Sequence, residues 1–140
     1  MINKALFSSD KEEWETPQDL FDTLNAEFNF TVDVCALPCN AKCKKYYTPE
    51  KNGLLQNWDN EIAWCNPPYG KTVSEWVKKA SQSKNTVVML LPARTDTKWF
   101  HEYIYNKSEI RFLKGRLKFG GAQNSAPFPS MIVIFRGDKI

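Results

Sequence analysis

Ile62-Ala63-Trp64-Cys65-Asn66-Pro67-Pro68-Tyr69-Gly70 is the stretch that decides the fold. Its four leading apolar residues form the short continuous run expected of a buried strand. The run stops at Asn66, because two consecutive prolines remove two ladder donors in succession. Asn66 to Tyr69 therefore sits just past the carboxyl end of a strand, the edge at which open α/β sheets bind their ligands. Downstream, Val73, Trp76, Val77 and Ala80 recur at helical spacing, and residues 86–91 form a continuous apolar strand closed by Pro92. Trp99, Phe100, Tyr103 and Ile104 mark another helix, with Thr95 or Asp96 placed to cap it.

Upstream, Thr16-Pro17 followed by Asp19 reads as N-cap, first helical position and an acidic third position. Leu20, Phe21, Leu24 and Phe28 supply the apolar stripe of a helix over about 17–28. Phe30 to Val34 reads as a short buried strand with Asp33 near its carboxyl end. Residues 37–60 carry Pro38, Pro49 and Asn52-Gly53, which predicts a loop with at most a short helix. Strand and helix alternate, so the fold class is α/β with a parallel sheet. The tail changes character: residues 109–113, 116–119 and 130–135 read as strands, joined by Gly115 and by a Gly/Ala/Pro-rich loop over 120–129.

A chain of 140 residues is expected to form one compact domain over 1–140. With 42% hydrophobic and 25% charged residues it matches ordinary globular domains. No apolar run is long enough to span a bilayer, and Met1 to Asp10 lack the features of a secretory signal, so a cytoplasmic location and no membrane partner are expected. The net charge of +3 hides an asymmetry: residues 1–70 hold six Lys/Arg against eleven Asp/Glu, whereas residues 71–140 hold thirteen against five. Lys107, Arg111, Lys114, Arg116 and Lys118 fall close together with only Glu109 opposing them, the footprint of phosphate contacts. Arg94, just past another strand end, is a further candidate for a phosphate. Cys35, Cys39 and Cys43 recur every fourth residue, a spacing unlike the C-x-x-C pairs of structural zinc sites, so no metal is expected.

Asn-Pro-Pro-Tyr carries the chemistry. An exocyclic aromatic amine such as that of adenine is a poor nucleophile, since its lone pair is delocalised into the ring. The amide oxygen of Asn66 and the backbone carbonyl of Pro67 can each accept one amino hydrogen and draw that nitrogen toward the tetrahedral geometry in which it attacks a methyl carbon. Pro68 holds Pro67 extended, and neither proline offers an amide hydrogen to compete with the amine. Tyr69 is expected to stack on the base, which must be flipped out of a duplex or delivered from a single strand. The four residues alone also fit methylation of RNA or of a protein glutamine; a non-catalytic DNA-binding module on a methyltransferase fold is the reading from another class. The basic second half favours nucleic acid, and the intact segment favours an enzyme.

The chain resembles the phage-type DNA adenine methyltransferases of bacteriophages and prophages. The resemblance is carried by Trp14-Glu15-Thr16-Pro17, Asp33-Val34-Cys35-Ala36, Asn40-Ala41-Lys42, Gly53-Leu54, Trp58, Trp64 with Asn66 to Tyr69, Leu91 to Thr97, and Gly115 to Phe119. It implies a Rossmann-like S-adenosylmethionine-dependent methyltransferase fold ending in an antiparallel hairpin, with adenine in DNA as substrate in a bacterial host cell. It also implies that Thr16 and Pro17 cover the methionine end of the cofactor, that Asp33 and Ala36 lie beneath it, and that Asn66, Pro67, Pro68 and Tyr69 form the catalytic loop, Asn66 also touching cofactor. Arg94, Arg111, Lys114, Arg116 and Lys118 are then the expected DNA contacts. Two departures stand out: no glycine-rich loop follows Asp33, and Asn52 stands where an acid before Gly53 would suit the adenosine.

Overall fold

The computed structural model describes residues 14–122 and 124–137; the segment read above for a secretory signal lies outside them. In chain order the elements are α1 (Gln18–Phe28), β1 (Val32–Asp33), β2 (Ala63–Cys65), α2 (Val73–Gln82), β3 (Val87–Pro92), a π-helical turn Phe100–Ile104, β4 (Glu109–Phe112) and β5 (Ser130–Phe135). The strands form one sheet in the order β1-β2-β3-β5-β4. β1, β2 and β3 are parallel; β5 runs antiparallel to both β3 and β4, so β4 points the same way as the first three. The carboxyl ends of four strands therefore share one edge, and Asn66, Arg94 and Lys114 all follow such an end.

The alternation of strand side chains sorts the apolar residues into two cores. Ala63, Cys65, Val87, Met89, Leu91, Met131, Val133 and Phe135 face α2 and the π-helical turn, against Val73, Trp76, Val77, Trp99, Phe100 and Ile104. Trp64, Val88, Leu90, Ile132 and Ile134 face the other way, against Phe21, Leu24 and Phe28 of α1 and against Phe119, Ala126 and Phe128 of the tail. Both faces are covered, which is why β3 and β5 read as unbroken apolar runs.

The ends of the elements correct several expectations. Thr16 does not cap α1: Pro17 occupies the cap position without a side-chain hydrogen bond, and the Thr16 hydroxyl is engaged elsewhere. Thr97, not Thr95 or Asp96, caps the later helix, accepting from Phe100 N at 3.3 Å. That helix closes on a wide turn, Tyr105 N donating to Phe100 O at 2.9 Å. Residues 116–119 are not a strand. Arg116-Leu117-Lys118-Phe119 has the right alternation, with Leu117 and Phe119 turned into the second core and Arg116 and Lys118 outward. Both sides of β5 are already taken by β3 and β4, so the segment has no ladder edge to join there.

Candidate active site

Residues past the ends of β1 and β2 line a small cleft, about 70 Å³ in volume, that is open to solvent on one side. Asp33, Cys35, Ala36, Leu37, Asn40, Lys42 and Pro49 form one wall; Trp64, Asn66, Pro67 and Pro68 form the floor; Trp14, Glu15 and Thr16 close it from the chain's first described segment. The sequence-predicted residues Thr16, Asp33, Ala36, Asn66, Pro67 and Pro68 are thus brought together from three separate stretches. Pro17 and Tyr69 are not among the lining residues.

Asn66 is fixed by its amide nitrogen. Nδ2 donates to the carbonyl of Trp14 and to the Thr16 hydroxyl oxygen, the latter at 3.0 Å. A carbonyl can only accept, so the nitrogen, not the oxygen, must face Trp14. Oδ1 is left buried with no hydrogen-bond partner among the described residues. Few buried polar atoms are left in this condition, because stranding one costs about 1–3 kcal/mol. An acceptor held in place and unused is what a substrate amine needs. Oδ1 is also covered from solvent, so entry of a base requires the cleft to part at this point.

Asp33 closes β1 and is 3% exposed. Its Oδ1 accepts from Cys35 N at 3.2 Å and its Oδ2 from Lys42 N at 3.0 Å, so the carboxylate ties residues 35–42 to the strand end. Burial pushes its pKa up to about 6, against the opposing pull of those two amides. Asp33 is therefore a structural acid that also lines the cleft. Outside β1, the segment at 45–47 runs parallel to it through an isolated bridge from Tyr46 to Asp33, with Tyr47 N donating to Asp33 O at 2.9 Å. The same burial holds the Cys43 thiol up at about 12, with the neighbouring Asp33 adding to the effect.

Tyr69 is a correction. Its ring is buried edge-on against Phe119 and Phe128, and its hydroxyl donates to Leu90 O at 3.0 Å. β2 ends at Cys65, so the hydroxyl serves a β3 carbonyl beyond the last β2 pair. It anchors the Asn66 loop to the sheet and presents no free face to the cleft.

Gly53 and Asn52 are explained by the strand end as well. A Cβ on Gly53 would fall 2.0 Å from Val34 O, so only glycine allows this segment to lie against the exit of β1. Asn52 adopts φ 56° and accepts from Leu54 N at 3.1 Å, capping the short 3-10 turn Gly53–Leu55. An asparagine in place of an acid thus has a local structural reason.

The five cationic candidates separate. Arg111 forms a two-pronged pair with Glu27 at 2.7 and 2.8 Å and a third contact with Glu109 at 2.7 Å, so carboxylates already occupy its guanidinium. Its place as a phosphate contact is withdrawn on that ground. Arg116 donates to Pro127 O at 3.0 Å while remaining exposed. Arg94, Lys114 and Lys118 are exposed, Arg94 lying over the Phe128 ring with its guanidinium carbon 5.9 Å from the centroid.

Residues 4–139 match the family described as DNA N-6-adenine-methyltransferase (Dam). The chain belongs to the DNA N-6-adenine-methyltransferase family. As a member of it, the chain is an enzyme of DNA adenine methylation. The DNA N-6-adenine-methyltransferase of Haemophilus phage HP1 (strain HP1c1) is 36% identical over 138 residues, covering 91% of this chain and 80% of the phage protein. The protein of the same description from Escherichia phage T1 is 35% identical over 109 residues, 74% of this chain but 45% of that longer protein. A putative methyltransferase, YfdM, of Escherichia coli (strain K12) is 37% identical over 65 residues, covering 41% of this chain and 71% of its own. Reading from sequence missed Trp14, Leu37, Asn40, Lys42 and Pro49 as lining residues of this methyltransferase. Trp14, Asn40 and Lys42 lay in the stretches that carried the resemblance, so position relative to Asp33 and Thr16 was the available signal.

Proposed function

We propose that this chain, as a single domain of Rossmann-like type ending in the antiparallel β4–β5 pair, transfers a methyl group from S-adenosylmethionine to the exocyclic amine of adenine in DNA. The observation that carries the site assignment is the Asn66 amide: its nitrogen is committed to Trp14 and Thr16, and its oxygen is a buried acceptor with no partner among the described residues. When bound, S-adenosylmethionine supplies an electrophilic methyl group on a sulfonium.

The cleft fits that cofactor by the chemistry of its walls. Asp33 offers a carboxylate to an ammonium or a hydroxyl, Lys42 carries a cation suited to a carboxylate, and Trp14, Ala36, Leu37, Pro49 and Trp64 supply apolar surface for the remainder. Thr16 and Pro17 lie at the segment that would cover it. Asn66 Oδ1 and the Pro67 carbonyl would accept the hydrogens of the adenine amine, localising its lone pair and stabilising the positive charge that develops on the nitrogen as the carbon–nitrogen bond forms and the methyl's bond to sulfur breaks. Pro68 keeps the loop extended, and Tyr69 secures it to β3. A family of DNA adenine methyltransferases also makes DNA the partner, and Arg94, Lys114, Arg116 and Lys118 at the same sheet edge are the groups that would meet its phosphates. Among the described residues no helix is long and apolar enough to cross a membrane. The cytoplasm of a bacterial host, where DNA and cofactor are found, is the compartment that suits this reaction.

The test is direct: purified protein, S-adenosylmethionine with a labelled methyl group and unmethylated plasmid DNA, followed by nucleoside mass spectrometry. N6-methyladenine is expected. Unlabelled adenine in the recovered DNA, with label transferred instead to RNA or protein substrates offered in parallel reactions, would overturn the substrate assignment.

A further inference from the structure

Asn66 is held by a segment remote in sequence, and the manner of holding has a consequence for catalysis. Trp14 to Thr16 lies across the Asn66 side chain, supplying one acceptor from the Trp14 backbone and one from the Thr16 hydroxyl, and Thr16 is only 5% exposed. Both amide hydrogens are thereby used. The segment is itself clamped from two sides. Phe21 N donates to Pro17 O at 3.1 Å, starting α1, while Gly120 N donates to Glu15 O at 2.9 Å. A Cβ on Gly120 would stand 3.3 Å from the Glu15 Cβ, so the two backbones are in close approach. The Trp14 ring rests against Phe119 and Phe128, at centroid distances of 5.3 and 5.2 Å.

We propose that Thr16 is a positioning residue for the methyl transfer: its hydroxyl, with the Trp14 carbonyl, locks the Asn66 amide so that Oδ1 faces the substrate amine. The proposal rests on the catalytic reading of Asn66 given above. A rotated amide would aim two donors at the amine and repel its hydrogens, so the rate depends on how firmly the orientation is held. A helix-cap role is excluded by the hydrogen bonds of α1, and a purely cofactor-binding role would leave the rate of transfer unchanged once cofactor is saturating.

The experiment is single-turnover methyl transfer from labelled S-adenosylmethionine to unmethylated plasmid DNA, with cofactor affinity measured separately by calorimetry. Thr16→Val keeps the shape and removes the acceptor; the transfer rate is expected to fall roughly tenfold, the worth of one hydrogen bond, with cofactor affinity within about twofold of wild type. Thr16→Ser restores the acceptor and is expected to restore the rate. In an Asn66→Ala background Thr16→Val is expected to cost nothing further, whereas a folding defect would be felt in both backgrounds. A Thr16→Val protein that transfers at the wild-type rate, that fails only in cofactor affinity, or that loses the same factor with and without Asn66 would overturn the positioning role. Absence of transfer by the wild-type chain is a different result and would overturn the reaction assigned to it.

Discussion

Asp33, Asn66 and Tyr69 show how differently three polar side chains can serve one loop cluster. Asp33 holds two backbone amides with a carboxyl whose pKa burial raises from 3.8 to about 6. Between those values the folded protein retains a proton that the unfolded chain releases, so this group stabilises the fold at low pH and loses that contribution as pH rises through about 6. Its charged form is the one that would pair with a cofactor ammonium, so affinity for S-adenosylmethionine is expected to weaken by about tenfold per pH unit below about 6. Calorimetry from pH 7.5 to 5 checks this, and Asp33→Asn is expected to flatten the profile; an unchanged slope in that variant would remove Asp33 from the cofactor's partners. Tyr69 works through packing. Tyr69→Phe strands the buried Leu90 carbonyl and is expected to lower stability by about 1–3 kcal/mol in denaturant unfolding. A variant as stable as the wild type would show that the hydroxyl is not needed there.

Among the elements, those that cover a face of the sheet or are covered on both faces were the most legible. The 3.6-residue stripe of α2 and the apolar runs of β2, β3 and β5 read directly, because each is shaped by covering one or both faces of the sheet. Residues 116–119 misled because alternation reports which side chains face inward and not whether a neighbouring strand has an edge to offer. Thr16 misled for a related reason: a cap is a local inference, and its actual partner, Asn66, is fifty residues away. The tail between β4 and β5 carries the sharpest element-scale expectation. Lys114→Ala and Lys118→Ala should each reduce the salt dependence of DNA affinity by about one unit of slope, because each loses one phosphate contact. Arg111→Ala should leave that slope unchanged, since Glu27 and Glu109 already neutralise the guanidinium. Fluorescence titrations across a salt series distinguish the three. Gly53→Ala is expected to disturb the β1 exit, seen as loss of cofactor binding, because its Cβ collides with Val34 O.

At the scale of the molecule, the parallel strands bring one chemistry-bearing residue after another to a common edge. Asp33 follows the direction of β1, Asn66 that of β2, Arg94 that of β3 and Lys114 to Lys118 that of β4. The cleft is lined entirely by residues of the acidic first half, whereas Arg94 and Lys114 to Lys118 of the basic second half follow strand ends on the same edge of the sheet. The break of β2 at Asn66 was legible because two consecutive prolines remove the ladder donors a strand needs. The cleft's far wall was not, because Leu37, Asn40, Lys42 and Pro49 belong to a loop whose course is set by Asp33 and by the bridge at Tyr46. All of this geometry converges on the amide oxygen of Asn66. Single-turnover transfer of a labelled methyl group to adenine in plasmid DNA, comparing wild type with Asn66→Ala, puts the most weight on it. The rate is expected to drop by roughly a hundredfold or more, with DNA and cofactor affinity little changed. Transfer by Asn66→Ala at the wild-type rate would contradict the catalytic assignment.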